Sequence, residues 1–133
     1  MFVIGLDTNM LVRYLVEDDP EQAAKAAKLI EKRCTEDDPG FVNRIVLCEL
    51  VWVLESAYGY ARATIAATIE SLLRTAELEI DAVEAVWPAL TAYRTGSADF
   101  SDALVGRLNR GAGCSATATF DKGAAKLDDF FTP

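Results

Sequence analysis

The chain has 133 residues, 51% of them hydrophobic, with 13 Lys and Arg against 21 Asp and Glu, a net charge of −8. That size and apolar content imply one domain over residues 1–133 with a sizeable core and exclude a disordered chain. No apolar run approaches the ~18–20 residues of a membrane span, and residues 2–6 are too short for a signal peptide, so a cytoplasmic protein is expected.

In chain order, "FVIGL" (2–6) has strand character, and "DTN" supplies N-cap chemistry for a helix over "MLVRYLV". "EDDP" ends that helix. Pro20 suits the first turn of a second one, 20–33, with acids early and Lys and Arg late, as the helix dipole prefers. After the turn "TEDDPG" come a brief strand at 41–42 and a helix over 44–58, capped by Asn43 and ended by Gly59. A helix over 61–75, a strand at 78–80 and a helix over 82–94 follow, the last bent or interrupted by Pro88. Ser97 is positioned to cap a helix over 98–110. "CSATAT" (114–119) is β-rich, and a short helix at 121–127 precedes a terminal "FF" strand. This alternation predicts an α/β fold, a mainly parallel sheet between helices.

The chain contains no histidine, which removes imidazole acid–base chemistry and histidine metal sites together. Cys34, Cys48 and Cys114 show no C-x-x-C spacing and read as small buried apolar residues in a reducing compartment. Catalysis would therefore fall to carboxylates, lysine, tyrosine or a metal. The acidic balance argues mildly against a nonspecific basic nucleic-acid surface, but not against a site whose local sign is reversed by cations.

A few acids stand out from the solvated majority. Asp7 follows the first strand, at the sheet edge where open α/β folds bind ligands. Glu49 is the only charged residue from Ile45 to Leu54, and its neighbours at three and four positions are Ile45, Val46, Trp52 and Val53. A carboxylate in such company is expected to meet a cation, a donor network or a polar cleft, or else to lie on a narrow exposed stripe. Asp99 and Asp102 share a helix face, and like charges at that spacing repel by roughly 0.2–0.5 kcal/mol. Asp121 follows the late β-rich run, with Thr119 two residues before it. Each of these acids could be a helix cap or a solvated residue. Taken together, hard oxygen donors without His or Cys select Mg²⁺ or Mn²⁺, and such ions act on phosphate esters. The residues therefore suggest a metal-dependent phosphoryl hydrolase.

Four blocks, "GLDTNMLVRYL" (5–15), "LCELVWVL" (47–54), "ADFSDALVG" (98–106) and "TFDKGAAKL" (119–127), resemble in order and interval the signature blocks of PIN-domain ribonucleases, most closely the VapC-type toxins of toxin–antitoxin pairs. The resemblance implies a three-layer PIN sandwich with a parallel sheet of four or five strands. By position it implies that Asp7, Glu49, Asp102 and Asp121 form the catalytic, metal-binding set. Asp99 matches an additional acid, and Thr8, Asn9 and Thr119 match supporting polar residues. It further implies RNA hydrolysis by a water on one or two Mg²⁺ or Mn²⁺ ions, leaving a 5′-phosphate and a 3′-hydroxyl. Arg13, Arg44, Lys122 and Lys126 are candidate phosphate contacts, while a homodimer and a VapB-type antitoxin are implied partners. Two other readings stay open: a non-catalytic module of this fold that binds RNA or protein, and a small-molecule phosphohydrolase. "DTN" lacks the second aspartate of the D-x-D pattern of haloacid-dehalogenase phosphatases, which weakens the second of these.

Overall fold

The computed structural model describes residues 4–133; the start of the expected strand at residues 2 and 3 lies outside them. Helix α1 (Thr8–Val16) begins where expected, with Asp7 in extended backbone at its N-cap. Helix α2 (Pro20–Lys28) has Pro20 at its first position and Asp19 capping Gln22 N–H at 3.1 Å. The expected helix over 20–33 changes character part-way: residues Leu29–Arg33 form a π-helical turn, closed by Cys34 N–H on the Leu29 carbonyl.

Strand β1 (Gly40–Val42) is the central piece of a parallel arrangement. Phe41 bridges Gly5 on one side, and β1 pairs with β2 (Leu78–Ile80) on the other, Val42 opposite Ile80. Strands β3 (Thr117–Ala118) and β4 (Phe130–Phe131) form a second parallel pair. The fold is thus α/β, with helices flanking parallel strands as expected; among the described residues the strands are short pieces, in two ladders.

The core lies between β1, β2 and the long helices. Helix α3 (Arg44–Ser56) buries Val46, Leu47, Leu50, Val51 and Leu54. Helix α4 (Arg62–Leu73) contributes Ile65 and Ile69, and α5 (Val83–Thr95) contributes Val86, Leu90 and Tyr93. Helix α5 runs through Pro88 without interruption. Asn43 caps α3 through Val46 N–H at 2.8 Å. Gly59 (φ 65°) then reverses the chain, with Tyr60 N–H on the Leu54 carbonyl, the closure that a left-handed glycine permits.

Helix α6 (Phe100–Gly111) packs along α5 and buries Phe100, Ala103 and Leu104. Its N-cap is Asp99 rather than Ser97, and the Asp99 side chain makes no capping bond. Gly106 lets the C-terminal segment lie against α6, since a Cβ there would stand 2.6 Å from the Phe130 ring. Buried Asp129 fastens that segment to α6 through Arg110 (2.9 Å) and Arg107 (3.6 Å). The late expected helix is a short 3₁₀ turn, Ala124–Lys126. All three cysteines are free thiols, but only Cys34 is buried; Cys48 is half-buried and Cys114 exposed, against the expectation of three buried ones.

Candidate active site

Asp7 sits at the end of the chain segment that pairs with β1, and its Oδ1 accepts the Thr8 N–H at 2.7 Å. This is the short bond of a helix start, where a carboxylate also meets the positive end of the helix dipole. Thr8 is buried, and its hydroxyl donates to Glu49 Oε1 at 2.9 Å. That bond crosses from α1 to α3, two helices that pack together. Glu49 therefore does meet a donor, yet it is not buried. It is exposed beside Ile45 (68% exposed) and Trp52 (67%), so two of the four apolar neighbours that suggested burial face solvent with it, while Val46 is buried and Val53 half-buried.

A second acidic group forms around the start of α6. Asp102, in its first turn, is half-buried, and its carboxyl is pushed above the ordinary carboxylate value, first by burial and then by the charges of Asp121 and Asp99. Both causes disfavour the ionised form. Asp121 is held at this corner by its own turn: its N–H donates to Thr119 Oγ1 (3.0 Å), and its Oδ2 accepts the Ala124 N–H (2.8 Å). A Cβ on Gly123 would come within 3.3 Å of Asp121 Oδ2 and 3.8 Å of the Ser97 carbonyl, which sets Asp121 close to the approach to α6.

The five acids thus stand in two groups, Asp7 with Glu49 through Thr8, and Asp102 with Asp99 and Asp121. Helix α3, which carries Glu49, also touches α6. Among the described residues no three Cys, Asp or Glu side chains are arranged so as to hold a metal ion by themselves. The donor chemistry nonetheless fits a hard divalent cation. All the donors are oxygens, and Asp102 carries the repulsion that such an ion relieves.

A PIN domain profile matches residues 4–129. The chain belongs to the PIN domain family. PIN domains are in general nucleases that use divalent metals, so the α/β frame and the acids at its strand ends have a common context. Comparison with curated proteins gives no match.

The other expected residues of this PIN domain have separate fates. Asn9 is exposed at the start of α1, beside Arg13 and Lys25. Arg13 is bound to Asp18 (3.0 Å) and Gln22 (2.7 Å), and Arg44 is held by Asp81 at 2.8 Å. Lys122 and Lys126 are exposed, and among the described residues neither forms an ion pair. One residue that the sequence did not single out positions the second acidic group. Arg62 donates to the carbonyls of Tyr93 (2.9 Å) and Ala98 (2.7 Å), while its guanidinium lies 4.3 Å from the centre of the Tyr93 ring. Tyr93 in turn donates to Glu55 Oε2 at 2.7 Å. Ala98 immediately precedes Asp99, so this network fixes where α6 begins. No local pattern marks Arg62, which reads in sequence as an ordinary helix-start cation.

Proposed function

We propose that the chain is a metal-dependent endoribonuclease acting as the toxin of a type II toxin–antitoxin system. The observation that carries the nuclease part is Asp102: in a PIN domain, this half-buried carboxyl stands at one corner with Asp121 and Asp99, and burial first, then those two charges, raise its affinity for a proton. Crowded carboxylates at that position suit the holding of Mg²⁺ or Mn²⁺ against a phosphodiester. Asp7, Glu49, Asp102, Asp121 and Asp99 are the residues proposed to hold the ion. Bound there, the ion supplies charge neutralisation for the scissile phosphate and lowers the pKa of water.

The chain's own residues have distinct tasks in this scheme. Thr8 holds the Glu49 carboxylate in one orientation across the α1–α3 contact. Thr119 and the Ala124 N–H hold Asp121. Lys122 and Lys126, free of acidic partners, are available to phosphate oxygens. Asn9 completes the polar shell at the start of α1. The substrate is RNA.

The toxin role rests on the VapC-like sequence blocks and on the face of α3. Ile45 and Trp52 leave apolar surface uncovered beside Glu49, which suits a bound polypeptide, either a second copy in a homodimer or a VapB-type antitoxin. The same assignment places the protein in the cytoplasm as one domain over 1–133.

The test is cleavage of single-stranded RNA by the purified chain with Mg²⁺ or Mn²⁺, against Asp102→Asn, together with growth on conditional expression. Cleavage and growth arrest, both lost in Asp102→Asn, are expected. Equal cleavage by the variant would overturn the site, and RNA bound but never cut would make the protein a non-catalytic module.

A further inference from the structure

Most cations of this chain are already neutralised. Arg13, Lys25, Arg44, Arg74, Arg94, Arg107 and Arg110 each pair with an acid, and Arg62 is spent on backbone carbonyls. Among the described residues Lys28, Lys32, Arg33, Lys122 and Lys126 form no ion pair, and the first three belong to one short stretch, the end of α2 and its π-helical turn. With Lys25 and Leu29 they line one depression of about 450 Å³ that has no acid in its wall. Glu31, in the same turn, accepts instead from the Tyr14 hydroxyl (3.4 Å).

The contrast with the other surface depressions is informative. One, about 490 Å³, contains Arg74 and Arg94, but Glu70 neutralises both. Another contains Arg44, Arg107 and Arg110, which are held by Asp81 and Asp129. In a chain of net charge −8, four clustered cations facing a single salt-bridging acid, Glu21, are not an average outcome. The π-helical turn contributes to the cluster. Its i→i+5 closure widens the helix, so that Lys32 and Arg33 together follow Lys28 along one face; such turns often mark functional positions.

Lys25 lines both this depression and a second one, which reaches Arg13 and Asn9 on α1, Asn9 lying two residues from Asp7 in the chain. We infer that this face of α2 and the π-helical turn carries the phosphate backbone of single-stranded RNA, with Lys28, Lys32 and Arg33 as the backbone contacts. The inference rests on the nuclease reading above. The alkyl stems of the lysines and Leu29 provide an apolar floor under the strand, while the charged ends reach its phosphates.

The experiment measures binding of a fluorescein-labelled single-stranded oligouridine by anisotropy, in EDTA so that no cleavage intervenes, over a series of salt concentrations. Replacing Lys28, Lys32 and Arg33 together by Gln is expected to raise Kd roughly tenfold at about 0.1 M salt. The same variant is expected to make the log–log salt slope shallower by about 2, since each lost contact to a single strand removes about 0.7. Lys32→Gln alone should remove about 0.7. Arg74→Gln, whose charge is matched by Glu70, serves as the control and should leave the slope in place. An unchanged Kd and slope in the triple variant overturn the inference. So does displacement of an acidic peptide such as polyglutamate by the triple substitution with RNA binding intact, which would assign the face to a protein partner. Cleavage by the unmodified chain is scored separately: its absence overturns the nuclease reading, whereas the salt slope judges the basic face.

Discussion

The two acidic groups differ in how their charges are managed. At the α1–α3 contact every acid has a donor: Asp7 receives the Thr8 N–H, and Glu49 receives the Thr8 hydroxyl. At the start of α6 Asp121 also has one, the Ala124 N–H, but Asp102 is set against two acidic neighbours. Asp99 occupies an N-cap without making the capping bond, and Asp102 is half-buried beside Asp99 and Asp121. Hydrogen bonds favour an ionised carboxylate, whereas burial and like charge oppose it. The first group is therefore complete as a piece of structure, and the second is left with a charge that something else must balance. This makes the α6 group the centre of the proposed chemistry and the α1–α3 group its fixed wall.

The largest expected effect is on activity at the α6 group. Asp102→Asn should lower RNA cleavage by on the order of 10²–10³-fold or more, the scale on which loss of a single group that stabilises developing charge is felt. Initial rates on a labelled single-stranded RNA at saturating Mg²⁺ or Mn²⁺ would show it. Cleavage retained in Asp102→Asn but lost in Asp7→Asn would invert the comparison and move the chemistry to the α1–α3 side.

Next is the support behind α6. Arg62→Leu removes two bonds to carbonyls and leaves both acceptors in a partly buried place. The expected loss of stability is about 2–3 kcal/mol, read as a lower urea midpoint at unchanged slope. Cleavage should fall as well, because the Ala98 carbonyl no longer fixes the residue before Asp99. A stability loss without any change in cleavage would separate the start of α6 from the chemistry.

Much of this frame is legible in the sequence where a local rule decides it. Asp7 and Asn43 cap helices as their types and positions suggest, Pro20 opens α2, and Gly59 turns the chain after α3. The strands are less legible because they are two or three residues long, and their pairing is settled by distant partners such as Phe130 for Thr117. No local preference distinguishes residues 117–118 from the rest of "CSATAT". Helix α3 illustrates a different limit. It is apolar on most sides, so the pattern cannot say which face meets water; the structure exposes Ile45 and Trp52 together with Glu49. The acids themselves are visible as exceptions to apolar surroundings, but their division into two groups depends on the Thr8 bond and on Arg62, which join residues far apart in the chain.

A smaller effect is expected on the fixed wall. Thr8→Val keeps the shape of the side chain and deletes the donor to Glu49, at a cost of about 1 kcal/mol. Chemical denaturation would measure the stability change. Divalent-metal dependence of cleavage would measure whether an unpinned Glu49 still serves, and a higher metal requirement is expected. If Thr8→Val changed cleavage as much as Asp102→Asn, the wall and the centre would not be distinct.

The smallest effect is a pH signature of stability, and it bears on the comparison most directly. Asp102 starts from an ordinary value of 3.8 and is raised in the folded protein, by burial first and then by Asp121 and Asp99. A carboxyl raised in this way favours the folded state when protonated. Its contribution is fully present below the unfolded value and is lost as pH rises through the folded one. In EDTA, Tm should therefore fall relative to Asp102→Asn as pH climbs upward from 3.8, the variant having no proton to lose at this position. Mg²⁺ or Mn²⁺ should recover the lost Tm in the unmodified chain and close that gap, because a cation supplies the balancing charge that protonation supplies at low pH. Parallel Tm profiles for the two proteins, with and without metal, would mean that the α6 acids are as well balanced as those at the α1–α3 contact, and the distinction between the two groups would fall.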